Sequence, residues 1–205
     1  MAFTGDRTGL LVQPAEGDYT LYDVATRQVR KAFDNRSGAG TTLQGAGATL
    51  FSDFFRSYPP IRLFDTATGL AFRNIRSTGI VDHALAPGGE WAALVTNTGQ
   101  LEAYRTTSRT PGRVPEPEVV NTLGVRSGAW LYPGAAPQEV LVMLAGRQAD
   151  RSIRAELMAW DIGRNELREV HRLDLPATHI PIVNPQTRQI GAVRHCLDGE
   201  VLQHN

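Results

Sequence analysis

The sequence predicts an all-β chain assembled from a repeated unit, and three observations predict it. No long segment places apolar residues at i, i+3, i+4 and i+7 between sensible caps, so helix signals are poor. Short β-branched or aromatic runs recur instead, cut by Gly, Pro, Asn, Asp and Thr. One short segment, a strand ending in an aromatic residue and Asp, also returns along the chain.

That segment is Leu21-Tyr22-Asp23-Val24 in its first copy, Leu63-Phe64-Asp65-Thr66 in its second and Ala159-Trp160-Asp161-Ile162 in its third. A worn copy, Glu102-Ala103-Tyr104-Arg105, ends in Arg. Asp23 to Asp65 is 42 residues, Asp65 to Arg105 is 40, and Arg105 to Asp161 is 56. A four-stranded propeller blade takes about 40–45 residues. The long interval holds the three prolines Pro111, Pro115 and Pro117. They cannot donate to a strand ladder, so the stretch 110–118 reads as an inserted loop.

A second signature lies upstream in the repeat. Ile80-Val81-Asp82-His83-Ala84-Leu85-Ala86 reads as a strand, Pro87-Gly88-Gly89 as a tight turn, and Trp91-Ala92-Ala93-Leu94-Val95 as the next strand. The stretch 182–193 is a weaker copy. Together these motifs resemble the WD40-like and TolB-like β-propeller repeats, in degenerate form. The Gly-His dipeptide is missing, and Trp of the Trp-Asp pair survives only at Trp160.

The resemblance implies one propeller over residues 1–205, of four-stranded antiparallel blades, with about four to five blades present. A partial blade is expected at 1–33, with strands near 9–14, 19–24 and 29–33. Blades follow at about 41–76, 79–109 and 125–173. A partial blade at 180–205 lacks its outermost strand. A propeller is stable when it closes. The two ragged ends therefore point to a run of blades that belongs to a longer propeller or is covered by another chain, ahead of a closed ring of five.

Composition bounds the function. The chain is 205 residues long, 41% apolar and 20% charged, as in ordinary globular proteins. Its net charge is zero, so no bulk field draws it to nucleic acid or membrane. Lys31 is the one lysine, against twenty arginines, a bias that codon usage explains. Cys196 is the one cysteine, so no intrachain disulfide can form. The N-terminal residues lack the basic and apolar regions of a signal peptide, and no apolar run reaches membrane-span length. A cytoplasmic location is expected.

Catalytic patterns are not found. Gly38-Ala39-Gly40 and Gly45-Ala46-Gly47 lack the third Gly and the strand–turn–helix context of a dinucleotide fingerprint. His83, His171, His179, His195 and His204 show no metal-ligand spacing, and His195 and Cys196 point to opposite strand faces. No Gly-x-Ser-x-Gly elbow occurs, and the carboxylates form no assignable acid–base pair. No enzyme activity, cofactor or metal is expected.

The repeated Tyr22, Asp23, Phe64, Asp65, Tyr104, Trp160 and Asp161 read as structural: the aromatics fill space between blades, and the acids hold turns. The candidate partner-binding residues are Phe54, Phe55, Arg56 and Tyr58, because neighbouring Phe residues on one strand cannot both face one core. Arg113, in the proline-rich loop, is the last of them. The function expected is a non-catalytic scaffold that docks another protein chain. The alternatives are a ligand- or peptide-binding propeller accessory to a hydrolase, and a ribonucleoprotein contact through Arg73, Arg76, Arg105 and Arg109.

Overall fold

The computed structural model describes residues 1–12, 19–33, 42–46, 50–55, 58–65, 71–107, 116–123 and 128–194. Every regular element among them is a strand. The first sheet contains β1 (Ala2–Phe3), β2 (Gly9–Val12), β3 (Tyr19–Asp23) and β4 (Val29–Phe33). The second contains β5 (Thr42–Ala46), β6 (Leu50–Phe55), β7 (Tyr58–Asp65) and β8 (Ala71–Ile75). The third contains β9 (Ile80–Leu85), β10 (Trp91–Thr96), β11 (Gln100–Arg105) and β12 (Val119–Thr122). The fourth contains β13 (Ala129–Pro133), β14 (Glu139–Arg147), β15 (Ile153–Asp161) and β16 (Glu166–Leu175). Strands β17 (His179–Asn184) and β18 (Gln189–Arg194) form a hairpin. Each four-stranded sheet is an antiparallel meander in chain order.

Three boundaries differ from the sequence reading. The stretch 1–33 forms four strands rather than three, because the two-residue strand β1 pairs with β2 through Ala2–Leu11 and Phe3–Leu10. The third sheet runs past 109: β12 joins β11 beyond the proline-containing stretch, with Glu102 opposite Val120. That stretch therefore interrupts one sheet between its third and fourth strands, rather than separating two sheets. The final hairpin, expected to supply the inner strands of a further blade, packs over β15 and β16.

Side-chain alternation explains how the sheets stack. In a strand, odd and even residues face opposite sides. Strand β10 is buried at all six positions, so both faces of the third sheet are covered. Leu85, Ala92, Leu94 and Tyr104 point to the second sheet, where they meet Ile61, Leu63 and Ile75. Ala84, Trp91, Ala93 and Leu101 point the other way, onto Leu131, Val140, Val142 and Trp160 of the fourth. The first two sheets meet through Leu11, Leu21 and a Tyr19–Phe64 ring stack at 5.8 Å. The hairpin lays Val183 and Ile190 on Leu141, Leu157 and Leu175 of the fourth sheet.

The first strand of each four-stranded sheet also neighbours the first strand of the next, in the succession β1, β5, β9, β13. The turns between strands fix that spacing. Gly89 takes φ of 76° and closes a turn by donating its N–H to the Ala86 carbonyl at 2.8 Å. Gly88 donates to the Pro137 carbonyl at 3.0 Å, and a Cβ there would lie 2.9 Å from that oxygen. Only glycine lets the third and fourth sheets approach so closely at this end.

Because the core is a series of face-to-face layers, truncating a layer residue should be costly. Leu94→Ala, at a fully buried position, is expected to lose about 2–5 kcal/mol in urea unfolding. Val193→Ala, on an uncovered face, is expected to lose less than about 0.5 kcal/mol. Equal losses at the two positions would contradict the layered packing.

Candidate interaction surface

The sheets are tied to one another by polar side chains as well as apolar layers. Gln44 on β5 donates through Nε2 to the His83 carbonyl at 2.7 Å and accepts the Leu85 N–H on Oε1 at 3.0 Å. Its amide thus acts as a short extra strand against the exposed ladder of β9. Asp82, at the corresponding third position of β9, accepts the Leu131 N–H of β13 at 3.0 Å. Ser52 Oγ and His83 Nε2 hydrogen-bond at 2.8 Å in the buried space between the second and third sheets. Burial alone drives the His83 imidazole down to about 3 from its usual 6.5. The ring is therefore neutral at physiological pH.

Two buried carboxylates are answered in the same way. Glu102 accepts the Tyr104 hydroxyl at 2.6 Å and the Ser77 hydroxyl at 3.1 Å. Burial, and then this carboxylate, push the Tyr104 phenol well above its normal range. Glu139 meets Arg188 at 2.9 Å and Arg168 at 3.4 Å, and accepts the Ala135 N–H at 3.1 Å. Arg188 lies in the hairpin turn, so this pair clamps the hairpin to the fourth sheet. The Ile190 N–H, which donates to His171 Nδ1 at 3.3 Å, reinforces it.

The aromatic–Asp repeat has a local geometry. Asp23 accepts the Thr26 N–H at 2.8 Å, and Asp161 accepts the Arg164 N–H at 3.1 Å. In each turn the residue four places on, Arg27 or Asn165, is left-handed, with φ of 60° and 54°. The Thr26 bond, followed by the Arg30 guanidinium, holds the Asp23 carboxyl near 2. Asn184 repeats the arrangement: it accepts the Gln186 and Thr187 N–H groups, and Arg188 has φ of 54°. The hairpin turn is thus the same device that joins third to fourth strands in the first and fourth sheets. Sequence reading passed over it because Asn replaces Asp and Val183 replaces the aromatic; the spacing to a left-handed residue was the available signal.

The repeat aromatics take different places. Trp160 is fully buried, and its indole donates to Asn165 at 3.2 Å. Asn165 in turn bonds Asn121 and the Val120 carbonyl, tying β12 to the fourth sheet. Tyr104 and Phe64 are buried between sheets. Asp65 is half-buried at the end of β7, and Tyr22 is half-buried on the outer face of the first sheet.

The proposed contact residues are less accessible to description. Phe54 and Phe55 fall in β6 and Tyr58 starts β7, but their side chains, like Arg56 and Arg113 as a whole, lie outside the described residues. Arg109 does too. Arg105 sits 4.5 Å over the Trp91 ring and pairs with Glu118, and Arg73 donates to the Arg105 carbonyl. These two arginines thus have structural tasks, whereas Arg76 is exposed. His195, His204 and Cys196 lie outside the described residues. Among those described, no cluster of His, Cys, Asp and Glu could hold a metal ion. No helix among them is long and apolar enough to cross a membrane.

What sequence reading missed is at the two ends of the stack. Across the outer face of the first sheet, Phe3 pairs with Leu10, Leu10 with Tyr22, and Tyr22 with Val29. This apolar row crosses all four strands, with Phe3 54% and Val29 57% exposed. Thr20 and Ala32 pair on the same face, which carries no charged residue at the paired positions. On the outer face of the hairpin, Ile180 pairs with Val193 and Ile182 with Gly191. The three larger side chains there are 45%, 43% and 47% exposed in that order. This face is also free of charge, its last pair being Asn184 and Gln189. Scattered exposed apolar residues are ordinary, but contiguous apolar strips mark contact sites.

No family model matches the chain, and no curated protein matches it. Among solved structures, it is similar to Kuenenia stuttgartiensis hydrazine synthase, with a TM-score of 0.60 at 13% identity. The likeness covers 94% of this chain and 54% of the solved one. At that identity the two share a fold and nothing more is carried over. The chain spans about half the length of the chain it matches.

His83 gives this site a pH signature. Its folded value lies below its unfolded value, so the unfolded state binds the extra proton. Its contribution is therefore complete above about pH 6.5 and is lost as pH falls toward 3. Unfolding free energy is expected to drop by about 2 kcal/mol between pH 8 and pH 5. His83→Gln should flatten that slope in urea titrations. An unchanged slope in the variant would contradict a buried neutral imidazole.

Proposed function

We propose that the chain is a run of β-propeller blades with no catalytic role, which docks another protein chain as a subunit or segment of a larger assembly. Several features support the radial arrangement. First strands neighbour first strands through β1, β5, β9 and β13. Sheets cover each other face to face, and the solved structure follows a similar path over nearly the whole chain. The docking role rests on one observation: the two end faces of the stack are apolar, uncharged and uncovered. A sheet face of that composition is stable when another surface lies on it.

Hydroxyl-radical footprinting of the protein in its native assembly checks this reading. Phe3 and Tyr22 are expected to be protected there relative to the purified chain, and the assembly to exceed the 22.4 kDa of one chain. A bare chain with both rings labelled equally would overturn the proposal.

A further inference from the structure

We propose that the occupant of each end face is a second copy of this chain, with the hairpin of one copy seated on the first sheet of the other. This rests on the docking role proposed above and names the partner. Both faces belong to sheets that are apolar on both sides. The hairpin already lays one β-branched pair, Val183 and Ile190, on the fourth sheet. Its opposite face offers the pair Ile180 and Val193, with Ile182 beside them. The first sheet packs Leu11, Tyr19 and Leu21 inward and presents Phe3, Leu10, Tyr22 and Val29 outward. Stacking the hairpin on this row repeats the kind of contact that already joins the hairpin to the fourth sheet.

Head-to-tail pairing is favoured over like-to-like pairing because the two faces differ. A contact between two first sheets would leave both hairpin faces in water. A two-fold pair, each hairpin on the partner's first sheet, covers all four faces and closes the assembly. Neither face carries a charge that the contact would have to desolvate unpaired. Length is consistent as well: the chain matches 54% of the hydrazine synthase chain, so two copies supply about the length of one such chain.

The test uses the purified full chain and two variants, Val29→Asp and Ile182→Asp, followed by light scattering and sedimentation. Wild type is expected at twice the 22.4 kDa chain mass. Each variant alone is expected to be a monomer, with association weakened about 100-fold or more by an unpaired carboxylate in an apolar contact. Mixed one to one, the variants should form a dimer of one of each, because one intact pair of faces remains. Unfolding curves matching wild type will show that both fold, and Val29→Ser with Ile182→Ser replaces the pair if they do not. A monomeric wild type, failure of the mixture to associate, or dissociation by one substitution only would overturn the proposal. If a monomeric wild type accompanies protection of Phe3 and Tyr22 by a different chain in the native assembly, self-pairing alone fails. If there is no protection, the docking role fails with it.

Discussion

A sheet that is apolar on both faces must be covered on both, and this constraint organises the protein. It is clearest in β10, where six consecutive residues are buried. Such a strand cannot lie at the surface of a two-layer sandwich, where one face would meet water and alternate residues would be polar. It needs a sheet on either side. The third sheet has the second on one face and the fourth on the other, and its side chains divide between them by parity. Small residues such as Ala84, Ala86, Ala92, Ala93 and Ala103 recur in these layers. They leave room for the large side chains opposite, Trp160 and Leu63 among them, so that the layers interdigitate.

Layered burial strands polar groups, and each described strand edge that meets a neighbour is answered by a side chain. The first strand of a sheet has a free ladder on one side. Gln44 satisfies one carbonyl and one amide of β9, and Asp82 an amide of β13. These are specific bonds in an otherwise non-directional contact, so they set the offset between successive sheets. Glu102 and Glu139 follow the same logic. A buried carboxylate costs several kcal/mol unless it is hydrogen-bonded or paired. Glu102 meets two hydroxyls, and Glu139 two guanidinium groups and an amide.

Much of this was legible in the sequence. Alternation and breaker residues located most strands, and the repeat of aromatic and Asp located the turns after β3, β7 and β15. What escaped notice has physical reasons. Strand β1 is two residues long, too short for any period. Strand β12 stands beyond three prolines, and separation along the chain hid its pairing with β11. The turn at Asn184 uses an amide in place of a carboxylate, since either accepts backbone N–H bonds. The candidate contact surface was the least visible part. The search looked for exposed aromatics within one strand, at Phe54 and Phe55. The uncovered row instead draws Phe3, Leu10, Tyr22 and Val29 from four strands, and only pairing register brings them together.

The same constraint that builds the interior also accounts for the ends. Phe3, Val29, Ile180 and Ile182 are each near half exposed, yet the residues beside them in the same strands, Leu11 and Ile190 among others, are buried. A sheet meant to end the stack would carry polar residues on its last face, as terminal units of repeat proteins do. Neither end does so. The first sheet has the charged residues Asp23 and Arg30 at its turn rather than on this face, and the hairpin spends Arg188 on Glu139. Charge is thus available in both elements but is placed at turns and clamps. Its absence from the two faces, where solubility would favour it, means that the pattern of alternate covering does not stop at the first sheet or at the hairpin.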